Sequence, residues 1–311
     1  MAGGQERILK RRISSVQSTK KITRAMELIA ASRIVKAQQA VQAAVPYSDG
    51  ITEVVEHLGE AGAESASPLL TPREEIRNVA HVVLTADRGL CGAYNSSVIR
   101  ATEGSIREEA DLGRGYKLVL VGRKAESYFR YRNYDIDAVY TGFTDRPSYE
   151  DARKIARAVT RPFLDGAFDK VELVYTRFIS AGSQEVVRRP LVPLEPEVMT
   201  GEGPEPLTSD DGAPGAAYEF EPSPTEILET LLPRYVEARI YAALLNAAAS
   251  EHAARQRAMK SATDNADELI TGLTRVMNRA RQDAITTEIM EIVGGAEALR
   301  SGAAEEDLPI E

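Results

Sequence analysis

The stretch TADRGLCGAYNSS, residues 85–97, combines the residue types from which phosphate-binding loops are made. It follows a β-branched run and precedes an amphipathic run, the position between a strand and a helix where backbone N–H groups can hold a phosphate. Its glycines, however, are spaced G-x-x-G, which is neither GxGxxG nor GxxxxGK[ST]. We therefore expect a tight turn that uses Gly89 and Gly92, with Asn95 or Ser96 capping the helix that follows.

The other residues that could do nucleophilic or metal chemistry are few and scattered. Cys91 is the single cysteine, so there is no internal disulfide or cysteine-rich metal cluster, and we expect a small buried thiol. The histidines His57, His81 and His252 lack HExxH or any paired-ligand spacing, and no G-x-S-x-G occurs. The sequence thus predicts no catalytic residue, no cofactor and no metal site.

A long helix is predicted before this region. Residues 5–58 are rich in Ala, Gln, Lys, Arg and Glu, with one proline, Pro46, and no glycine before Gly50. At 100° per residue its apolar side chains form two stripes about a third of a turn apart, so one partner helix would cover only one of them. The first stripe contains Leu9, Ile13, Val16, Ile34, Val41 and Val45, and the second contains Ile8, Ile22, Met26 and Ile29.

A second and longer helix is predicted at the other end of the chain. Ser223, Pro224 and Glu226 form a helix-start signature, and Pro233 should kink or interrupt the helix. A stripe with alternating steps of three and four residues predicts a coiled-coil seam, and the nearest partner is the first helix, in an antiparallel pair. The predicted seam contains Ala266, Leu269, Leu273, Val276 and Ala280.

Between the helices the apolar period changes to that of strands. Strands are predicted at 79–86, 117–122 and 171–179, and helices at 97–109 and 148–163, which is β-α-β-α order. Ser148 followed by Asp151 is a signal for the start of the second of these helices. The predicted fold class is therefore α/β: a Rossmann-like domain with a mainly parallel sheet, carried by a long antiparallel coiled coil of the terminal helices. The expected organisation is an N-terminal coiled-coil helix at 1–60, the α/β domain at 75–194, an acidic Pro/Gly loop at 195–224, a C-terminal coiled-coil helix at 225–299 and a charged tail at 300–311.

Charge is distributed unevenly along the chain. The net charge is −9, yet the charged side chains among the first 36 residues are mostly basic. Residues 195–229 contain acids and no Lys or Arg. The basic helix is compatible with a nucleic acid, a solvated face or an acidic protein collar. Overall acidity and interleaved Ile and Met residues oppose DNA, whereas the other two interpretations remain open. No apolar run is long enough for a membrane span or follows the basic N-terminus as in a secretory signal, so we expect a cytoplasmic protein.

Four blocks of the sequence resemble the ATP synthase γ family. Residues 280–299, ARQDAITTEIMEIVGGAEAL, are similar to its C-terminal signature, and residues 13–32, ISSVQSTKKITRAMELIAAS, to its N-terminal helix. TADRGLCGAYNSS resembles the family's first strand and turn, and residues 250–269, SEHAARQRAMKSATDNADEL, its second long helix. Together these blocks extend over most of the chain.

This resemblance implies a rotating central-stalk subunit, present in one copy, that transmits torque from the proton-driven c-ring to the catalytic β subunits. In the family the coiled coil stands inside a ring of α and β subunits, and the α/β domain sits at the base with the ε subunit and the membrane c-ring. The implied location is peripheral, on the cytoplasmic face of the bacterial plasma membrane. The ATP chemistry belongs to the β subunits, so a non-catalytic subunit that binds no nucleic acid is expected.

The family's contact positions carry over residue by residue. The positions that match β-subunit contacts are Lys20, Lys21, Arg24, Met26, Arg255, Arg281, Gln282 and Thr286. The positions that match the foot near the c-ring and ε are Tyr218, Phe220 and Glu221. The alternative for each is an ordinary exposed residue. For the whole chain, the alternatives are a basic coiled-coil protein associated with nucleic acid and a free-standing nucleotide-binding enzyme.

Overall fold

The computed structural model of the chain describes residues 2–60, 67–194, 221 and 223–305. It divides into two compact units, one formed by Met1–Glu27 with Met259–Glu311 and the other by Leu28–Ala258. We call them the coiled-coil unit and the α/β unit. The helices α1 (Ala2–Glu60) and α5 (Pro224–Glu305) each contribute residues to both units. No helix in the described ranges is long and apolar enough to cross a membrane.

The α/β unit is built on a five-stranded sheet with the order β3-β2-β1-β4-β5. The first four strands in that order are parallel, and β5 is antiparallel to β4. The strands are β1 (Asn78–Leu84), β2 (Gly115–Val121), β3 (Ile136–Tyr140), β4 (Lys170–Phe178) and β5 (Gln184–Val192). The helices between them are α2 (Tyr94–Asp111), α3 (Arg123–Tyr131) and α4 (Tyr149–Leu164).

Alternation along β1 separates two hydrophobic cores, because successive side chains of a strand point to opposite faces. Ala80, Val82 and Leu84 belong to a core that also contains residues of α4 and of the α1 and α5 segments within this unit. Val83 belongs to a second core shared with α2 and α3. The sheet is thus covered by helices on both faces, as expected for an α/β fold.

The predicted mainly parallel sheet is confirmed, and its three predicted strands lie within two residues of β1, β2 and β4. The elements β3, α3 and β5 were not predicted. β3 has only five residues and no fully buried one, so its apolar signal is short. α3 has nine residues, many of them charged, and β5 is an edge strand that contains Pro190, a residue that lowers a strand signal.

The predicted helix starts were correct in two of three cases. Ser148 and Asp151 form a capping box at α4, and the Glu226 N–H donates to Ser223 Oγ over 3.3 Å at the start of α5. At α2 the prediction was wrong, since the N-cap is Ala93 and has no side-chain hydrogen bond. Asn95 lies inside the first turn of α2, and its Oδ1 accepts the Ala86 N–H over 2.8 Å. It therefore fastens the helix to the end of β1 and does not cap it.

α5 continues through Pro233, so of the predicted kink or interruption the interruption does not occur. Proline removes one helical hydrogen bond, to the carbonyl four residues earlier, and costs about 3 kcal/mol in a helix interior. Glu229 and Pro233 are both exposed, so water can reach the carbonyl left without its donor. Leu228 and Leu232 are fully buried, and each contributes about 1.5–3 kcal/mol by burial, which offsets the loss.

The coiled-coil unit pairs α1 and α5 in antiparallel directions, as predicted. Lys20 forms an ion pair with Asp267, and Thr23 Oγ1 lies 2.8 Å from Thr263 Oγ1. Residue numbers thus rise along one helix as they fall along the other. Ile13 and Thr23 of α1 are buried in this unit, together with Met259 and Ala266 of α5.

The seam predicted on α5 was only partly correct. Ala266 is buried and Leu273 and Ala280 are half-buried, but Leu269 is 45% exposed and Val276 is 54% exposed. The half-buried positions between them are Ile270 and Met277 instead. In a heptad seam, Ala266, Leu273 and Ala280 follow one another at intervals of seven residues, and one further seam residue lies between each two of them. That residue can follow three or four positions after the first of the two, and the spacing of apolar residues alone does not distinguish these two choices. The exposed residues form a second apolar surface beside the seam.

Two apolar stripes were also predicted on α1, and within the coiled-coil unit this is confirmed. Ile13 is buried and Leu9 and Val16 are half-buried, whereas Ile8 and Ile22 are more than 60% exposed. Pairing with α5 covers the first stripe and leaves the second accessible.

We expect Leu273→Asp to destabilise the coiled-coil unit and Leu269→Asp to change it little. The first substitution places a carboxylate in the seam, where lost burial and desolvation cost about 1–3 kcal/mol, whereas position 269 is near half exposure. The measurement is thermal unfolding of the purified chain, followed by the helical circular dichroism signal. We have assigned Leu273 to the seam and Leu269 to the exposed surface. An equal loss of helical signal in the two variants would contradict this assignment.

We also expect the α/β unit to lose stability in acid through His252. Burial, reinforced by the positive charges of Arg255 and Arg33, lowers the pKa of His252 to about 4, although hydrogen bonding to Asp145 opposes this. The unfolded chain binds a proton below about pH 6.5 while the folded chain stays neutral down to about pH 4. Stability should therefore fall as the pH drops through this window, by about 2 kcal/mol between pH 7 and 5.

The control for this expectation is His252→Gln, whose side chain does not titrate. Urea unfolding at pH 7, 6 and 5 should give a flatter pH dependence for the variant, whatever its absolute stability. Parallel pH curves for the two proteins would show that His252 is not the group responsible.

Candidate partner-binding surfaces

The first group of predicted contact residues lies on α1 in the coiled-coil unit. Lys21 and Arg24 are exposed, and Met26 is half-buried. Lys20 is half-buried and engaged with Asp267, while Arg24 Nη1 contacts both carboxylate oxygens of Glu27 at 2.9 and 3.0 Å. The Lys20–Asp267 pair is accessible to solvent, and such a pair is worth about 0–1 kcal/mol. It can be exchanged for a contact with another acidic surface at little cost. The Glu27 side chain is only 11% exposed, so Arg24 offers its exposed side to a partner while it stays paired with Glu27.

The second group, Arg281, Gln282 and Thr286, is exposed on consecutive turns of α5. The Thr286 hydroxyl donates to the Gln282 carbonyl over 3.0 Å, so it is already engaged within the helix. Asp267, the partner of Lys20, precedes Arg281 on the same helix by about 20 Å at ~1.5 Å per residue. The structure therefore separates the predicted contacts into two groups along the helix pair.

A broad apolar surface lies next to the second group. Its members are all at least half exposed, and at 100° per residue they extend over about 160° of the helix circumference. They are Ile285, Ile289, Met290, Ile292 and Val293. A helix that is apolar on so much of its surface needs a partner, because large exposed apolar patches mark interaction sites. The sequence analysis missed this surface, although the run ITTEIMEIV carries the signal.

On α1, exposed cations lie among the exposed apolar residues of the second stripe, Ile8 and Ile22. Within the coiled-coil unit the exposed basic residues of α1 include Arg7, Lys10, Arg11, Arg12, Lys21 and Arg24. Interspersed apolar and basic side chains fit a partner that offers both apolar area and acidic groups. They fit a continuous array of phosphates less well, because the apolar residues would then stay exposed to water.

Arg255 differs from the other predicted contacts because it lies inside the α/β unit. Its side chain is only 10% exposed, and its guanidinium pairs with Glu251 at 2.7 Å. It also donates to the Gly89 carbonyl over 3.3 Å. Burial raises the pKa of Glu251, and the positive charge of Arg255 opposes that shift. Arg255 thus holds the glycine turn against α5.

The glycine turn itself is a tight and closed structure. Leu90 and Gly92 have φ values of 62° and 58°, in the left-handed region that glycine adopts most easily. Cys91 is buried, and the Asn95 amide donates to its Sγ over 3.1 Å. Burial raises the pKa of this thiol, so it stays protonated and poorly reactive. The expected buried thiol is confirmed.

At the carboxyl ends of the parallel strands, where Rossmann-like folds hold ligands, the side chain of Asp87 binds the backbone of two neighbouring loops. Its carboxylate accepts the N–H groups of Arg123, Gly142 and Thr144 over 3.2, 2.8 and 3.2 Å. The Thr144 hydroxyl adds a fourth bond at 3.0 Å. These are the donors that an anionic ligand would use at such a position, and an acidic side chain of the chain itself occupies them.

The predicted foot residues are only partly covered by the structure. Tyr218 and Phe220 lie outside the described residues, and Glu221 is exposed. No group of three or more His, Cys, Asp or Glu side chains suited to a metal ion occurs among the residues described.

Comparison with known proteins gives a consistent result. A family model for ATP synthase matches residues 5–299. The ATP synthase gamma chain of Frankia casuarinae is 52% identical over 303 residues, covering 96% of this chain and 99% of that protein. The ATP synthase gamma chain of Streptomyces avermitilis is 47% identical over 310 residues, covering 98% and 99%.

Solved structures share the fold at lower identity. A chain of the Euglena gracilis mitochondrial ATP synthase, in the OSCP/F1/c-ring assembly, aligns with a TM-score of 0.64 at 16% identity, covering 99% of this chain and 98% of that one. A chain of the Tetrahymena thermophila mitochondrial ATP synthase central stalk and c-ring aligns with a TM-score of 0.54 at 24% identity, covering 78% and 99%. Since the sequence match extends over nearly the whole chain at about half identity, the protein belongs to the ATP synthase gamma chain family.

Proposed function

We propose that this chain is the rotating central-stalk subunit of an F1Fo ATP synthase, transmitting torque from a proton-driven c-ring to catalytic β subunits and so coupling proton flow to ATP synthesis. The observation that carries the proposal is a coiled coil with a second apolar surface exposed, in a chain of this family. One stripe of α1 is covered by α5, and the other surface is available to a surrounding ring. The resemblance of the fold to ATP synthase rotor chains supports the same assignment.

The partners in this proposal are the α and β subunits of the ring, the ε subunit and the membrane c-ring, with one copy of this chain per complex. The chain would then be peripheral to the bacterial plasma membrane, on its cytoplasmic face. Lys20, Lys21, Arg24 and Met26 would contact one zone of the ring through weak ion pairs and apolar contact. Such pairs form and break easily, which suits a surface that must pass successive β subunits.

Arg281, Gln282 and Thr286 would hydrogen-bond loops of the ring beside the apolar surface of α5. Arg255, buried in the isolated chain, would support this arrangement mainly by holding the glycine turn on α5. Tyr218, Phe220 and Glu221 would belong to the foot near ε and the c-ring. The asymmetry of such a shaft would favour a different nucleotide affinity in each β subunit as it turns, which is a coupling of conformation to binding.

The chain would have no catalytic site of its own. In support, Asp87 engages N–H donors at the strand ends where a nucleotide phosphate could bind, and the single thiol is buried and protonated. Nothing in the comparisons favours a nucleic-acid-associated protein, and the exposed apolar surface on α5 argues against that alternative.

Purified alone, the chain should hydrolyse no ATP. The reason is that an acidic side chain occupies the anion position at the strand ends, so a phosphate would meet charge repulsion and N–H donors that Asp87 already engages. The measurement is phosphate release by the isolated chain, with a reconstituted α and β complex as positive control. Turnover that co-elutes with the pure chain and persists after removal of β contamination would contradict a non-catalytic role.

Replacing Arg281 and Gln282 together by Ala should lower coupled ATP hydrolysis and synthesis in the assembled enzyme about fivefold or more. Each lost hydrogen bond contributes about 0.5–1.5 kcal/mol, so the two together contribute about 1–3 kcal/mol. Both side chains are exposed, so folding should be unaffected. The measurement is ATP synthesis in inverted vesicles, after incorporation of the variant has been quantified.

The matched control is Arg157→Ala, which removes one exposed arginine from α4 in the α/β unit. It should leave the rates unchanged. If the double variant were incorporated and also ran at the wild-type rate, Arg281 and Gln282 would be solvated surface and not contacts with the ring.

A further inference from the structure

A cleft of about 490 Å³ opens within the α/β unit between α1, α4 and α5. Its volume lies in the range of sites that bind small organic molecules, about 300–1,000 Å³. The lining includes Ala43, Ala44 and Tyr47 of α1, Tyr149 of α4, and Arg234 and Tyr241 of α5. The proposed function uses none of these residues.

The walls of the cleft combine small and aromatic side chains. Alanines from α1 and α5 give a flat floor, because their side chains are too short to fill the space between the helices. Tyr149 and Tyr241 meet edge to face, with ring centroids 5.6 Å apart and planes at 78°. Tyr47 stands at the side with its side chain 52% exposed. This arrangement suits a planar apolar body, since aromatic rings stack on one another or meet edge to face.

One end of the cleft is polar. The Tyr149 hydroxyl donates to Glu237 Oε2 over 2.8 Å, and Arg234 Nη1 lies 3.4 Å from the same oxygen. Burial and the bond to Glu237 raise the pKa of Tyr149, so its hydroxyl remains neutral. The Arg234 side chain is 53% exposed, and its guanidinium has five N–H donors. Glu237 and the Tyr149 hydroxyl engage some of these donors, and the others can reach an anion or a strong acceptor.

From this geometry we propose that the cleft is a binding site for a planar aromatic organic anion, with its ring system between Tyr47, Tyr241 and the alanine floor and its anionic group on Arg234. A cation is the less suitable ligand, because Arg234 lines the cleft itself whereas Glu237 lies behind it, engaged by Tyr149. A charge-assisted hydrogen bond to guanidinium orients the ligand, and the aromatic walls contribute the apolar area.

The binding probe is 8-anilinonaphthalene-1-sulfonate, an aromatic anion with a planar naphthalene ring system, whose fluorescence rises on transfer from water. Titration of the full chain should show one saturable site that is lost in Ala44→Phe and in Ala242→Phe, each of which places a ring in the cleft. The probe should also raise the melting temperature of the wild-type chain, because a ligand that binds only the folded state stabilises it. Probe bound to the exposed apolar residues of α5 should be unchanged in both variants.

The charge is tested separately with Arg234→Gln, which alters a largely exposed side chain and leaves the packing intact. It should weaken binding of the anionic probe about tenfold, equivalent to about 1.4 kcal/mol. Binding of N-phenyl-1-naphthylamine, which lacks the sulfonate, should change less than twofold. Arg275→Gln, an exposed arginine outside the cleft, is the control and should affect neither probe.

Two results would overturn the proposal. If both cleft-filling variants bound the anionic probe like the wild-type chain, the cleft would not be the site. If Arg234→Gln weakened both probes equally, the anionic part of the assignment would be wrong. Neither result bears on the role of the chain in ATP synthase, because that role does not depend on the cleft.

Discussion

The α/β unit depends on the polar attachment of α5 to the ends of its strands and turns. Asn246 accepts the Phe178 N–H over 3.2 Å, and Ser250 donates to the Thr176 carbonyl over 3.1 Å, so α5 is bonded to β4. Five residues after Ser250, Arg255 bonds the turn after β1. Apolar packing alone would let a helix slide on a sheet, whereas directed bonds fix its rotation and its position along the axis. A helix that is to carry torque into a domain needs that second kind of attachment.

In the coiled-coil unit the polar contacts have another role. Thr23 and Thr263 share a hydrogen bond inside the seam, and Lys20 pairs with Asp267 at its edge. A leucine pair would bury more apolar area at the threonine position, so the seam is weaker than it could be. What the polar pair contributes is register, because a shift of either helix would break the bond between the helices and leave each hydroxyl only the carbonyl of its own helix, at 3.0 Å for Thr23 and 2.8 Å for Thr263. A shaft with one defined register presents the same asymmetric surface throughout each turn.

The sequence predicted structure best where neighbouring residues alone decide it, as at a helix cap or in a regular apolar repeat. It predicted least where the burial of a side chain depends on a partner far away in the chain. Ser148 with Asp151 and Ser223 with Pro224 predicted the starts of α4 and α5, since capping involves only neighbours in the chain. The choice between Leu269 and Ile270 as seam residue depends on the rotation of α5 against α1, which no local pattern contains. The burial of Arg255 could not be predicted from the sequence either. Its partner Gly89 is far away along the chain, and a charged side chain is normally exposed.

The α/β unit also shows why a fold and a function can separate. Its strands end at a crevice with the backbone donors that nucleotide-binding relatives of this architecture use, yet Asp87 accepts three N–H groups there from the loops that follow β2 and β3. A bound phosphate would hold these loops together only while it stayed bound. A carboxylate that belongs to the chain holds them permanently and independently of nucleotide concentration. For a subunit that must stay rigid while nucleotides exchange elsewhere in the enzyme, such an internal anion removes an unwanted dependence on ATP, and it explains how the Rossmann-like architecture can serve as a mechanical part.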